Sequence, residues 1–109
     1  MDLVAAVYQV SGGFPKSEIY GLTSQLRKSA VSVPSNIAEG YGRSGRREFA
    51  HALSIALGSL AEVETQVLIA ERLGYLTSES QATLLELSAE TGRIIVGLMN
   101  SMERNAKAS

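Results

Sequence analysis

The chain has 109 residues, enough for one domain, and 45% of them are hydrophobic, which excludes a disordered chain. It contains no cysteine, which excludes disulfide frameworks and thiolate catalysis, and its formal net charge of -1 is unlike that of strongly basic nucleic-acid-binding proteins. The amino terminus lacks the basic segment of a signal peptide, and no continuous apolar run approaches the roughly 20 residues that cross a bilayer. The composition therefore predicts a cytoplasmic protein that does not enter a membrane.

Helical periodicity between glycine stops divides the chain into four segments. The first predicted helix covers about residues 2–11, where Val7 and Tyr8 share a face with the apolar residues before them, and it ends at Gly12. The second covers about residues 17–41, and its apolar residues keep their phase across Pro34, which predicts one long helix kinked at that proline. Its apolar positions are Ile19, Leu22, Leu26, Ala30, Val33, Ile37 and Tyr41.

The third predicted helix covers about residues 46–73 and carries two separate apolar sets. Ile55, Ile69 and Leu73 lie roughly 120–160° from the centre of the main stripe, at about 100° per residue. One intramolecular core does not easily cover both sets, so the second set indicates either a subunit interface or a helix at the centre of its own bundle. The main stripe comprises Phe49, Leu53, Ala56, Leu57, Leu60, Val63 and Val67.

The fourth predicted helix covers about residues 78–103 and starts at Ser78, where the sequence has a capping-box pattern. Short loops between amphipathic helices predict antiparallel neighbours, and no segment alternates as a strand does. The sequence therefore predicts one all-α domain over residues 1–109, an up-down antiparallel four-helix bundle with a short first helix. The stripe of the fourth helix comprises Leu84, Leu87, Thr91, Ile94, Ile95, Leu98 and Met102.

A polar stripe follows one flank of the second helix. Gln25, Ser29, Ser32 and Asn36 occur at i, i+4, i+7 and i+11, and Glu39 comes next. Surfaces that simply face solvent usually mix Lys and Glu, whereas the first four members of this stripe are uncharged. The stripe therefore favours a hydrogen-bonded network between helices or subunits, with plain solvent exposure and ligand binding as the alternatives.

Two glutamates of the third helix lie close to its apolar surfaces. Glu62 neighbours the second apolar set, and Glu64 points about 60° from the centre of the main stripe. A carboxylate in such a position needs a partner or a path to water. Arg27 is placed similarly at the edge of the second helix, so we predict an ion pair between Glu64 and Arg27.

A basic cluster marks the predicted turn between the second and third helices. Arg43, Arg46 and Arg47 lie there, and Lys28 on the second helix is a further candidate. The planar guanidinium fork suits phosphate oxygens. Three arginines are a weak footprint in a monomer, but a ring of identical subunits would multiply them. The alternative is a solvated loop.

Catalytic and metal signatures are weak. Glu48 and His51 form a Glu-x-x-His pair, the local pattern of di-iron bundles, but such centres need two of these pairs and the chain has one histidine. Neither a Gly-x-Ser-x-Gly nucleophile pattern nor the Gly-Lys-Ser/Thr ending of a phosphate loop occurs. The sequence therefore predicts no catalytic residue, metal or cofactor.

Four segments carry a resemblance to a known family: residues 14–27, 32–43, 55–66 and 73–76. They resemble the four-helix-bundle proteins encoded in intervening sequences of bacterial large-subunit ribosomal RNA genes. That family is related to the accessory variability protein of diversity-generating retroelements, which binds nucleic acid and a reverse transcriptase. The resemblance implies assembly into homo-oligomeric rings, with pentamers expected, and no established catalytic residues. The retroelement branch is strongly basic, whereas this chain is mildly acidic.

These observations predict a non-enzymatic homo-oligomer, expected to be a pentamer, that serves as a scaffold or adaptor and has itself as its main partner. An RNA- or DNA-binding accessory protein with a ring of arginines is the alternative. A metal-binding or catalytic bundle that uses Glu48, His51, Glu62 or Glu64 is the second alternative.

Overall fold

The computed structural model describes residues 2–42 and 45–108, with side chains as far as Arg104. It has four helices, α1 (Asp2–Ser11), α2 (Leu22–Gly42), α3 (Arg46–Arg72) and α4 (Ser78–Ala108), and a 3-10 turn at Lys16–Glu18. These ranges contain no strand, so the predicted all-α four-helix bundle is confirmed. α2 packs against α1 and α3, and α4 packs against α3 and α1, which closes the four helices into a ring. The elongated molecule measures 52 × 24 × 18 Å.

The second helix begins later than its periodicity predicts. Pro15 precedes the 3-10 turn, and Oε1 of Glu18 then accepts a hydrogen bond of 3.1 Å from the backbone N–H of Leu22. This carboxylate satisfies one of the amide groups that a helix leaves unpaired at its start. α2 therefore begins at Leu22 and not near residue 17. Pro34 lies inside α2, and the kink at this proline stays a prediction.

The third helix ends in a Schellman motif. The N–H of Gly74 donates to the carbonyl of Glu71 and the N–H of Tyr75 donates to the carbonyl of Ala70. Both N···O distances are 2.9 Å. Gly74 has a φ of 78°, which glycine adopts without the strain that a side chain would cause. α3 consequently stops at Arg72, close to its predicted end.

The fourth helix is longer than predicted. Oγ1 of Thr77 accepts a hydrogen bond of 3.0 Å from the N–H of Ser80, so Thr77 caps its start. The helix then continues to Ala108, past the predicted end near residue 103. At 1.5 Å per residue α4 is roughly 46 Å long, about three times the length of α1.

The core is aliphatic, as the scarcity of aromatic residues predicts. Leu26, Leu53 and Leu84 come from three different helices and are fully buried. The ring of Phe14 packs against that of Tyr75 at one end of the bundle, with 5.7 Å between their centroids. Burial of these side chains is the main favourable term in the stability of the fold.

α2 and α3 pack tightly at Gly40 and Ala52. A Cβ atom added to Gly40 would lie 2.3 Å from the Cβ of Ala52, far closer than non-bonded carbon atoms approach. The glycine is therefore required by the packing of the two helices and not by its backbone conformation.

By length and composition alone, α3 is apolar enough to cross a membrane, with a mean hydropathy of 1.4 over 18 residues. The helix mixes polar with apolar residues and contains no continuous apolar run of that length. Its apolar stripe, however, includes Leu53, Leu60 and Val63, which are buried against the other helices. Such burial is what a helix that contributes one side to a bundle core requires.

Candidate interaction surface

Small polar residues of the predicted stripe lie where α2 packs against α3. The hydroxyl oxygens of Ser32 and Ser59 are 2.8 Å apart. Nδ2 of Asn36 donates both to the carbonyl oxygen and to the hydroxyl oxygen of Ser32, at a distance of 2.8 Å in each case. Because the Ser32 hydroxyl oxygen accepts from Asn36, its own hydrogen is available for Ser59. Asn36 therefore orients the pair of serines that joins the two helices.

The other members of the stripe are less constrained. Oγ of Ser29 donates to Oε2 of Glu62 at a distance of 3.4 Å, which is at the long end of the hydrogen-bond range. Glu62 is exposed, as are Gln25 and Glu39 at the two ends of the stripe. The stripe thus has a central part bonded to α3 and two exposed ends.

The predicted ion pair between Glu64 and Arg27 is wrong. Nε of Arg27 donates to Oγ of Ser11 at a distance of 2.8 Å, and the guanidinium carbon lies 4.7 Å from the centroid of the Tyr8 ring. Arg27 is thus directed at α1, where the hydroxyl and the ring face both attract the cation. Glu64, half-buried on α3, forms no ion pair within residues 2–42 and 45–108.

The second apolar set of α3 lies outside the core. Ile55, Ile69 and Leu73 are 42%, 44% and 54% exposed. α3 is therefore not enclosed on all sides within one chain, which removes the alternative of a helix at the centre of its own bundle. These three side chains are referred to below as the α3 flank.

The outer surface of α2 carries very little charge. Gln25, Lys28, Val31, Ser35 and Ala38 are exposed along about four turns; Lys28 is the charged residue among them, and exposed Glu39 lies on the same side at the end of this surface. We refer to these five residues as the α2 face. Surfaces with few charges lose little hydration when another molecule covers them, and the cores of protein interfaces are depleted in charged residues.

A groove of about 450 Å³ borders the α2 face on the side away from α3. Tyr8, Ile19 and Val31 give it partly exposed apolar walls, and Arg27 and Lys28 are its charged residues. Tyr8 and Ile19 share the helical period of core-facing residues in the sequence, so periodicity alone does not predict this groove. In the structure Tyr8 is 45% exposed beside fully buried Val7.

Lys28 lies apart from the described arginines of the predicted cluster. Arg46 and Arg47 are exposed in the first turn of α3, and Arg43 lies outside the described residues. Lys28 belongs to the α2 face, roughly 21 Å along the helix axis from the end of α2. Lys28 and the two arginines therefore occupy different parts of the molecule.

A groove of about 410 Å³ lies between the end of α2 and the start of α3. It brings Glu48 and His51 beside Asn36 and Ile55, which the sequence assigned to a network and an interface. In the described part of the chain no three His, Cys, Asp or Glu residues converge as a metal centre requires. The lining is Asn36, Glu39, Gly40, Arg47, Glu48, His51, Ala52 and Ile55.

Two of the family-like segments meet at the opposite end of the bundle. The hydroxyl of Tyr75 donates to Oε2 of Glu18, with an O···O distance of 2.8 Å. The bond from the Leu22 N–H and then the bond from Tyr75 lower the pKa of Glu18, because both stabilise the carboxylate. The bond to Glu18, followed by burial, raises the pKa of Tyr75. This contact fixes the turn before α2 against the turn before α4.

Comparison with known proteins gives a family and a fold. The model of the 23S rRNA-intervening sequence protein family matches residues 1–97. A crystal structure of a protein of unknown function from the S23 ribosomal protein family of Bacteroides thetaiotaomicron is similar, with a TM-score of 0.76 and 22% identity over 88% of this chain and 87% of that one. No curated protein matches the chain.

Proposed function

Since the chain belongs to the 23S rRNA-intervening sequence protein family, we propose that it is a non-enzymatic bundle that self-associates through the α2 face and the α3 flank. The assembly is a homo-oligomer, expected to be a pentamer, and serves as a cytoplasmic scaffold or adaptor. Absence of cysteine suits a reducing compartment.

The observation that carries this proposal is the exposure of the α3 flank. Ile55, Ile69 and Leu73 leave three half-exposed aliphatic side chains on α3, and contact with another subunit would remove this apolar surface from water. Full burial of an aliphatic side chain is worth roughly 1.5–3 kcal/mol, so covering the exposed half of each residue contributes about 1 kcal/mol. Tyr8 and Ile19 extend the apolar surface on the other side of α2.

The test is the native mass at micromolar concentration, measured by light scattering and sedimentation velocity. We expect five times the 11.6 kDa of one chain for the wild type. Ile69→Lys/Leu73→Lys places two charges on the flank and should reduce the mass to that of a monomer. Val96→Lys is the matched control, because Val96 is 44% exposed on α4, away from α2 and its flanks.

A monomeric wild type would refute self-association. A wild-type oligomer that survives the double substitution would place the interface elsewhere on the bundle. Circular dichroism on each variant separates loss of assembly from loss of folding.

A specific observation also favours nucleic-acid binding as a second candidate. Arg46 and Arg47 are exposed in the first turn of α3, where the helix dipole disfavours cations and favours anions. The helix itself therefore does not stabilise the charges of the two arginines. A bound phosphate would be attracted both by these arginines and by the unpaired amide groups at the start of the helix.

Fluorescence anisotropy with labelled RNA and DNA across a salt series tests this candidate. Binding should weaken with salt at a log–log slope of about -0.9 per duplex phosphate neutralised. Arg43→Ala/Arg46→Ala/Arg47→Ala should abolish it. Lys28→Ala, on the α2 face, is the control and should leave the slope unchanged. Lack of binding at low salt would remove this candidate.

A further inference from the structure

The fourth helix carries an apolar stripe at the edge of the core. Leu87, Thr91, Ile94 and Leu98 occur at i, i+4, i+7 and i+11, which is the heptad spacing of a seam between two packed helices. Leu87 is half-buried and packs against the core, whereas Ile94 is 60% exposed and Leu98 is 39% exposed. The described part of the chain therefore covers this stripe at Leu87 and leaves it largely open at Ile94 and Leu98.

The stripe forms one wall of a groove of about 410 Å³. Ile37 of α2 and Leu3 of α1 complete its apolar lining. The groove thus lies between three helices, and α4 supplies most of its lining.

The charged residues of the groove all have the same sign. Asp2 and Glu90 are the charged residues that line it, and no Lys or Arg joins them within the described ranges. Arg93, the next basic residue on α4, is 3.7 Å from Glu86 in an exposed ion pair. An apolar groove with acidic edges favours a partner with basic residues beside its apolar ones.

We propose that this groove binds a basic amphipathic helix of another protein, with apolar residues at heptad positions and Lys or Arg beside Asp2 and Glu90. Packing of one helix into the groove between others matches the spacing of the stripe. Nucleic acid does not fit, because its phosphates would face the two carboxylates. A second copy that offered the same stripe would bring its own Glu90 to a groove that is already acidic, and not the basic residues that Asp2 and Glu90 favour.

A basic helix bound in this groove would be the partner of the proposed adaptor, and only the role of adaptor rests on the proposed function. The α2 face and the α3 flank include no residue that lines this groove. Self-association and helix binding are therefore separate measurements on the same protein.

The probe is a labelled synthetic helix of about 21 residues, with Leu at heptad positions a and d, Lys at e and g, and Ala elsewhere. Its counterpart has Glu in place of Lys. Anisotropy titrations of the full chain at about 0.15 M salt measure the affinity of each peptide. The variants are Ile94→Asn and Glu90→Lys. Val96→Asn, also on an exposed part of α4, and Glu71→Lys, which changes the net charge equally on α3, are their controls.

We expect the Lys peptide to bind the wild type and to bind each groove variant at least about tenfold more weakly, with changes below about twofold in the controls. Failure of the Lys peptide to bind, equal binding by the Glu peptide, or unchanged affinity in Ile94→Asn would each overturn the proposal. Native mass is recorded for every variant. A mass that falls in Ile94→Asn would show that a second copy occupies the groove, which also overturns it. A monomeric wild type that still binds the peptide would refute self-association alone.

Discussion

Tyr75 donates a hydrogen bond to Glu18 across 57 positions in the chain, and this bond joins the turn before α2 to the turn before α4. The same carboxylate accepts the N–H of Leu22 and so determines where α2 begins. One side chain thus sets both a helix start and the relative position of two turns.

The first prediction concerns acid stability. Because both bonds favour the ionised carboxylate, the pKa of Glu18 is lowered in the folded protein. The stabilising effect is present above the unfolded value of about 4.3 and is lost as the pH falls through the lower folded value. We expect Glu18→Gln to lower Tm most near neutral pH and progressively less below about pH 4. Calorimetry from pH 7 to 3 measures the difference, and Glu90→Gln, at an exposed site on α4, is the control. A difference that stays constant over this range would contradict the prediction.

The second prediction is that the same substitution has opposite effects at two glycines. Gly40→Ala places a methyl group against Ala52 and should destabilise the fold by about 1–3 kcal/mol. Gly97→Ala lies in an exposed part of α4 with nothing within 4 Å of the new Cβ, and should stabilise it by about 0.5–1 kcal/mol. Urea unfolding at one protein concentration measures both. Ala52→Gly should restore stability in the Gly40→Ala background, and a lack of rescue would mean that the helices do not meet at this pair.

The third prediction concerns the serine pair. Ser32→Ala removes the hydroxyl that contacts both Ser59 and Asn36 and should cost about 1–2 kcal/mol, because a half-buried polar group then loses its partner. Ser35→Ala, three residues along at an exposed site, should change stability by less than about 0.5 kcal/mol. A double-mutant cycle with Ser59→Ala isolates the coupling. Additive effects of the two serine substitutions would show that the hydroxyls do not interact.

The fourth prediction separates the core from the exposed surface on one helix. Leu53 has no exposed surface, so Leu53→Ala should cost about 2–5 kcal/mol through lost burial and a cavity. Leu68 is 50% exposed, and Leu68→Ala should cost about 1 kcal/mol or less. Chemical unfolding of both variants at one protein concentration makes the comparison. Equal costs would contradict the assignment of the two faces of α3.

Much of the fold follows from the sequence because glycine stops and helical periodicity are local signals. The start of α2 does not, since Glu18 acts as its cap only after Tyr75 and the 3-10 turn have positioned it. The mistaken pairing of Arg27 has a similar cause. Periodicity gives the direction of a side chain on its own helix, but the identity of the neighbouring helix depends on packing. Arg27 points at α1, which the pattern did not indicate.

The surfaces show the same limit. Exposure of Ile55, Ile69 and Leu73 agrees with their angle from the main stripe, so one flank was readable from the sequence. The groove on α4 was not found, because Ile94 and Ile95 were assigned to one core-facing stripe. Successive residues on a helix lie about 100° apart, so which of Ile94 and Ile95 is buried depends on where the neighbouring helices lie, and periodicity does not supply that position.

Packing of α1 against both α2 and α4 also means that the order of the helices along the chain is not what holds them together. A permuted chain that begins at Arg46 and joins residue 108 to Asp2 through a flexible linker retains every helix contact and breaks only the connection between α2 and α3. Asp2 lies in one groove with Leu98, and α4 continues for roughly 15 Å beyond Leu98, so the linker has to span about this distance. Such a permutant would place its new termini next to Arg46 and Arg47.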